Sequence, residues 1–466
     1  MLGSKVESRK LKVGNGPEAL ASIGQPAEVR RRPRCASSPA QVLRSFDLRL
    51  STFNLRGSVL ILVTWILILL VAITASLVRT VHVELEASRR AGAGFLARAL
   101  AESGIEWTIA SLYVQGPTSA GSEPVWRNAP DTFDSMPLGA GTWTLYYYDP
   151  SNDERRFGVV EESSKLNVNI ATAEMIESVV AGVMESSRRT WPYTSTEVAA
   201  AILDFRDADT EASESGAESE YYQTLLPPYE PKNAAFESLA ELLLVRGIDE
   251  TLLWGEDVNR NGRLDLAEDD GTERWPEDDA DTLLAPGLAH YLTVYSYDVN
   301  ETADGEARIN LTSASEEELR TALGGVVSAE GLDAMVRFQR RPGFSTVGQL
   351  VDVEGLTLAD IRAAIDLVTT TDEPHQYGLV NVATAPLEVL AVLPGLSDES
   401  AAALVAYRAG ATTGMDSIGW ILNVIDEDAF RTASSYLTAK SYQFEMAAVG
   451  EALGVSHRLR AVVDLA

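Results

Sequence analysis

Cysteine is almost absent from this chain. One residue, Cys35, is the whole supply in 466. A lone thiol closes no internal disulfide, so stability must come from packing or from bound ions. Histidine is nearly as scarce, and His82, His290, His375 and His457 stand far apart. No zinc-spaced Cys/His set exists, and no glycine-rich loop runs into a lysine to cradle phosphate. No Ser, His and Asp are singled out as a catalytic set, so the sequence reads as a non-enzyme. Basic residues are few after the start. Residues 1–57 hold 11 Lys and Arg against 4 Asp and Glu, a net of +7, which leaves −37 for the rest of a chain whose total is −30. Phosphate binding depends on cationic contacts, so a nucleic-acid partner is not expected.

What the chain does have is one uncharged apolar run, Ser58 to Val78. As a helix it spans roughly 31 Å, about the thickness of a bilayer core. A buried core helix is the competing reading, but unbroken runs of this length are rare in soluble domains. A cleaved secretory signal has a shorter apolar stretch and a small-residue site after it. Here a helical pattern continues through Glu84, Arg90, Leu96 and Leu100 to Leu112. The run is therefore read as an anchor. Lys and Arg flanking a membrane helix favour the cytoplasmic side. This places the N-terminus in the cytoplasm and the acidic body in the periplasm, with a single pass through the inner membrane.

The body reads as α+β. Residues 1–57 form a basic leader and 58–115 one long helix, membrane-embedded and then amphipathic, which Gly92, Gly94 and Gly104 weaken slightly. Residues 116–165 carry strand signals at Trp143–Tyr148 and Phe157–Val160, with a turn at Asp149–Asn152. Further strands are expected at Tyr291–Tyr297, and in 441–466 at Tyr442–Val449 and Leu459–Val463.

Between these strands a motif recurs. Its copies are Leu166-Asn167-Val168-Asn169-Ile170-Ala171-Thr172-Ala173, Ile309-Asn310-Leu311-Thr312-Ser313-Ala314 and Val380-Asn381-Val382-Ala383-Thr384-Ala385-Pro386. Each precedes a helix-period segment, at Glu174–Val183, Glu316–Leu323 and Leu387–Leu393, and then a second helix, at Thr196–Arg206, Gly331–Arg340 and Asp398–Arg408. Asn followed by Ser or Thr and then Ala or Pro is N-cap chemistry. The segments Phe236–Gly247 and Phe344–Gly355 extend the first two units. The pattern divides the body into helical units at 166–300, 301–378 and 379–440. The spacing resembles helix-hairpin-helix modules, although any αα-hairpin looks similar. Such modules often hold a DNA backbone, which makes a DNA-binding uptake pilus protein the alternative reading. Its only basic cluster is Arg337, Arg340 and Arg341, and the hairpin Leu393–Ser397 leads into Asp398 and Glu399, the wrong sign for phosphate.

The loop 257–268 has the spacing of a calcium site, D-x-[DN]-x-[DN]-G-x5-E. Ca²⁺ takes six to eight oxygens. Asp257, Asn259 and Asn261 offer side-chain oxygens from alternate positions, and Gly262 permits the sharp turn. Arg263 offers its carbonyl, Asp265 binds directly or through water, and Glu268 closes the site with both oxygens. Leu264 is the apolar anchor. Trp254-Gly255-Glu256 leaves little room for a flanking helix, so this is a loop site, or else an acidic solvated turn. A further acidic stretch, Glu277, Asp278, Asp279 and Asp281, has no defined spacing.

The order of these features resembles the minor pseudopilin K family of type II secretion. Arg56-Gly57-Ser58 is similar to a prepilin peptidase site, with cleavage between Gly57 and Ser58. Ala97–Trp107 resembles the amphipathic half of the family's first helix. Glu161–Asn169 is a third block. The most specific block is Ile202–Asp209, Gly216–Glu218, Tyr221-Tyr222, Asn233 and Glu241–Gly247. Pilin-like subunits mostly carry Glu at the fifth mature position, and pseudopilin K lacks it; here that position is Leu62. The leader is longer than the family's usual one. The resemblance implies a structural subunit at the tip of a secretion pseudopilus. It also implies partners in the I and J type minor pseudopilins, the inner-membrane secretion platform and prepilin peptidase.

Overall fold

The computed structural model describes residues 55–116, 126–151, 154–187, 189–271, 278, 280–411 and 413–466. The leader up to residue 54, with Cys35, lies outside the described residues, as do Asn152, Glu277 and Asp279. The chain divides into a unit ending at Phe95 and a unit of Leu96–Ala466.

The first unit is helical. The helix Leu55–Gln115 begins there, so the Gly57–Ser58 bond lies in its first turn. Its apolar side chains face outward, with Leu60 72% and Trp65 68% exposed. The hydroxyls of Thr64 and Thr74 donate back to the carbonyls of Leu60 and Leu70, at 2.7 and 2.6 Å, which hides their polarity. Among the described residues this is the one helix long and apolar enough to cross a membrane.

In the second unit the same helix becomes amphipathic. Ala97, Leu100, Ala101, Ile105, Thr108 and Leu112 recur at three- and four-residue spacing and are buried. They face a five-stranded sheet in which Met136–Leu138, Gly141–Leu145, Gln443–Ala452 and Val455–Asp464 lie side by side. The short strand Val160–Glu161 pairs with the Phe444–Glu445 end of Gln443–Ala452. All pairs are antiparallel. Strands from 116–165 and from 441–466, read apart along the chain, therefore form one sheet. Trp126, Phe133, Trp143, Leu145, Phe444 and Met446 fill the space beneath the helix. Two glycines set the distance. A Cβ on Gly450 would lie 1.9 Å from the Ala97 carbonyl oxygen, and one on Gly104 would lie 2.9 Å from the Trp143 ring. Gly104 is thus the contact that lets Trp143 dock, beyond its small cost in helix propensity.

Three expected strands come out differently, the first of them Trp143–Tyr148, which divides at Tyr146 between Gly141–Leu145 in the large sheet and Tyr147–Asp149 in a separate pair. Phe157–Val160 is not one strand: Glu154–Arg156 pairs with Tyr147–Asp149, and only Val160–Glu161 joins the large sheet. Tyr291–Tyr297 breaks into the end of a helix, Leu288–Tyr291, and the short strands Leu292–Thr293 and Tyr297–Val299. Alternation alone did not show where these backbones find partners.

The helical units repeat in detail. Each opening strand pairs in parallel with a closing strand: Leu166–Asn167 with Leu292–Thr293, Ile309–Asn310 with Val368–Thr369, Val380–Asn381 with Leu437–Thr438. In each opener the Asn Oδ1 accepts the N–H two residues on, from Asn169, Thr312 and Ala383 at 2.8–3.0 Å. In each closer the Thr Oγ1 accepts the N–H two residues on, from Tyr295, Thr371 and Lys440 at 3.0–3.3 Å. These are side-chain turns that short polar residues favour. A side chain near the end of the second helix then ties back to the opener: Arg206 donates to the Val168 carbonyl, Gln339 to Leu311 at 3.0 Å and Arg408 to Val382 at 3.0 Å. The segments after Phe236 and Phe344 form 3₁₀ helices, Leu239–Leu244 and Val347–Asp352, and the third unit has its own at Ile418–Asn423. One apolar core runs through all three units, from Leu166 to Ala439.

Candidate calcium loop and buried carboxylates

The loop 257–268 follows the short helix Glu250–Trp254, and among the described residues no helix follows it directly. Arg260 and Gly262 take positive φ, +55° and +67°, which folds the chain back on itself. The two oxygens of Asp257 accept the backbone N–H groups of Asn261 and Gly262, at 2.7 and 2.8 Å. The side-chain amides of Asn259 and Asn261 donate to Asp265 Oδ2, at 2.8 and 2.7 Å. Glu268, only 7% exposed, accepts from the N–H of Asn259 and of Asp265 at 3.4 and 3.1 Å. Arg263 is exposed and Leu264 half-buried. Burial holds the Glu268 carboxyl above its ordinary range, against the two N–H donors, and the charges of Asp257 and Asp265 push the same way.

Hydrogen bonds within the loop thus join Asp257, Asn259, Asn261, Asp265 and Glu268, and the exposed Arg263 side chain stands apart from them. Asn261 Oδ1 is buried and has no donor among the described residues, an acceptor left for something else. No three His, Cys, Asp or Glu side chains among the described residues converge to hold a metal by themselves. The loop's set depends on amide and main-chain oxygens, which suit a hard cation. Tyr146 Oη donates to the Asn261 carbonyl at 3.0 Å, so the large sheet supports the loop from one side. In the acidic stretch beyond it, Asp278 accepts the N–H groups of Asp270, Gly271 and Ala280 at 2.8–3.1 Å, and Asp281 that of Leu283 at 2.9 Å. Both act as turn caps.

A second group of oxygens lies in the first helical unit, where the sequence reading assigned no chemistry. Asp204 is 2% and Glu218 4% exposed. Asp207 Oδ1, Glu218 Oε1 and Asn233 Oδ1 are buried without a donor among the described residues. Burial raises the Asp207 and Glu218 carboxyls, and Asp204 and Asp209 nearby raise them further. The signal was present as three Asp within six residues, but their convergence on Glu218 and Asn233 depends on the turn at Gly216, where a Cβ would lie 1.8 Å from Asp204 Oδ2.

The block Glu161–Asn169 is a seam between the sheet and the helical units. Glu161, 3% exposed, accepts from Trp126 Nε1 at 2.8 Å, Asn381 Nδ2 at 3.1 Å and Thr384 Oγ1 at 2.7 Å, and also from Ser441. Beside it Lys165 lies between Glu162 and Glu445, at 3.5 and 2.9 Å. Of the basic cluster in the second unit, Arg340 holds Glu316 at 2.6 Å. Asp398 and Glu399 occupy the first turn of the helix Asp398–Gly410, as the alternative DNA reading would not require.

Residues 167–254 match the model of the family described as type II secretion system (T2SS), protein K. No curated protein matches the chain in sequence. Among solved structures the chain is similar to one in the GspK-GspI-GspJ complex from the enterotoxigenic Escherichia coli type 2 secretion system, at 12% identity and a TM-score of 0.35, over 83% of this chain and 94% of that one. The assignment stands on the matched domain, which begins at the opener Asn167 and takes in the carboxylate group around Asp204 and Glu218. Residues 167–254 carry a domain similar to that of type II secretion system protein K.

Proposed function

We propose that this chain is a minor pseudopilin at the tip of a secretion pseudopilus, with its helix in the inner membrane and its acidic body in the periplasm. The observation that carries this is the order of its parts: one exposed membrane-length helix, then a helix-on-sheet body, then the protein K domain. The apolar span would pack against the helices of I and J type subunits, the partners that the family resemblance implies. Leu62 in that span leaves no carboxylate to be paired in lipid, which suits a subunit with none ahead of it. Prepilin peptidase would cut between Gly57 and Ser58, releasing the +7 leader on the cytoplasmic side. The loop 257–268 would hold Ca²⁺ through Asp257, Asn259, Asn261, the Arg263 carbonyl, Asp265 and Glu268, offsetting their mutual repulsion and fixing the turn.

The test is co-purification of the tagged full chain, from its own cells, with I and J type minor pseudopilins. Recovery of both, lost when the span Ser58 to Val78 is replaced by a polyleucine helix, supports the reading. Secretion and assembly that proceed unchanged after deletion of the gene would refute it.

A further inference from the structure

The large sheet ends on an open strand. Val455–Asp464 follows a two-residue turn at Leu453 and Gly454, both at positive φ, +52° and +79°. In a hairpin of this kind the pair flanking the turn exchanges hydrogen bonds, and bonded and non-bonded pairs then alternate. The flanking pair is Ala452 and Val455, followed by Gly450 with His457, Ala448 with Leu459, Met446 with Ala461 and Phe444 with Val463. The N–H and C=O groups of Ser456, Arg458, Arg460 and Val462 therefore point away from the sheet. Among the described residues no strand, backbone group or side chain takes them up.

The two faces of this strand differ. Leu459, Ala461 and Val463 pack beneath the long helix. Arg458 and Arg460 lie on the other face. Arg458 and Arg155 both lie over the Tyr146 ring, 5.0 and 4.5 Å from its centre. Arg460 is 37% exposed and reaches Glu445 at 3.7 Å. Nitrogens of Arg155, Arg458 and Arg460 are left without an acceptor among the described residues. Arg458 and Arg460 on the edge strand, with Arg155 over the same Tyr146 ring from the separate pair Tyr147–Asp149 and Glu154–Arg156, stand out in a body with a net charge of −37. At about 0.1 M salt the Debye length is about 10 Å, so the energy of a contact here is set by these arginines together with the neighbouring Glu445 and Asp257, and not by the more distant acidic surface.

We infer that Val455–Asp464 is a docking edge for an extended acidic segment of a partner protein, which adds to the sheet as a further strand. Backbone groups at Ser456, Arg458, Arg460 and Val462 supply affinity. Carboxylates on alternate residues of the incoming segment meet Arg458 and Arg460, and supply specificity. The inference does not depend on the secretion assignment.

The probe is a labelled ten-residue peptide of alternating Glu and Val, tested against the full chain in detergent by fluorescence anisotropy. A Lys-Val peptide and a Glu-Val peptide N-methylated at every second residue serve as comparisons. The expected result is saturable binding of the Glu-Val peptide, at least tenfold weaker for Lys-Val and for the N-methylated form, and weakened by added salt. Val462→Pro removes an outward N–H and leaves the inward ladder intact, so it lowers affinity at least tenfold with an unchanged melting temperature. If that variant unfolds, the N-methylated peptide carries the same test on the other partner. Absence of Glu-Val binding, equal binding of Glu-Val and Lys-Val, or binding indifferent to N-methylation would overturn the inference, and the arginines would then only guard a bare edge against aggregation.

Discussion

The carboxylate of Glu161 accepts the side-chain amide of Asn381, 220 residues further along, at 3.1 Å. Asn381 opens the third helical unit, and Glu161 ends the short strand on the large sheet. One buried carboxylate therefore joins the large sheet to the third helical unit.

Replacing Glu161 by Ala strands Trp126 Nε1 and the Thr384 hydroxyl, while Asn381 Nδ2 keeps Ser441 Oγ at 2.9 Å and the Ser441 hydroxyl keeps Ser163 Oγ at 2.6 Å. A buried donor left unpaired costs about 1–3 kcal/mol. We expect Glu161→Ala to destabilise the body by about 3 kcal/mol or more, and Glu161→Gln by less, read from the urea midpoint followed by tryptophan fluorescence. Equal midpoints for wild type and Glu161→Ala would mean that the seam is not a structural joint.

Gly450 is a second joint. A methyl group there meets the Ala97 carbonyl, which belongs to a helix and has little freedom to move. Gly450→Ala is expected to cost about 1–3 kcal/mol, as overpacking does, while Gly454→Asn at the exposed turn costs far less. Thermal melts of the two variants compare them directly.

Asp360 gives a pH dependence with a definite sign. Desolvation raises its carboxyl, but donors prevail: the Ser328 N–H at 2.8 Å, the Thr357 N–H and hydroxyl at 3.1 and 2.7 Å, and the Ser328 hydroxyl at 3.2 Å hold it below the ordinary carboxylate range. A carboxyl depressed in the folded state contributes stability above its unfolded value, near pH 4. That contribution is lost as the pH falls through the lower folded value. Asp360→Asn should lower stability at pH 7 and flatten the decline below about pH 4, measured by melts across pH 2–7. A parallel decline in both proteins would remove Asp360 from the account.

Calcium is expected to raise the melting temperature of the full chain. A ligand that binds only the folded loop adds about 2.7 kcal/mol at a hundredfold excess over its Kd. Asp257→Ala and Glu268→Ala should abolish most of this shift. Identical calcium responses in wild type and Glu268→Ala would assign the loop to the acidic-turn reading.

Processing gives the last test. Gly57→Ala should slow cleavage, seen as accumulation of a precursor longer by the leader, because a peptidase site shaped around glycine has no room for a methyl group. A mature N-terminus at Met1, or beyond Val78, would exclude the Gly57–Ser58 bond.

Local chemistry was legible in the sequence. The apolar run Ser58 to Val78 is a property of consecutive residues, and so are the spacing of Asp257 to Glu268 and the three Asn openers. Each needs only near neighbours to act, as in the Asn-to-N–H turn two residues on. The closing strands were not legible, because Leu292–Thr293, Val368–Thr369 and Leu437–Thr438 are dipeptides without a period. Their identity comes from the parallel partner each finds at the start of its unit. The same holds for Glu161, Glu218 and Gly450. An isolated Glu or Gly is uninformative until folding brings a distant amide, carboxylate or helix carbonyl against it. The sequence by itself determined the membrane-length apolar helix and the repeat of the Asn openers. The tertiary structure alone decided that the two ends of the chain share one sheet and which edge of it stays open, since strand pairing joins residues that no local pattern relates.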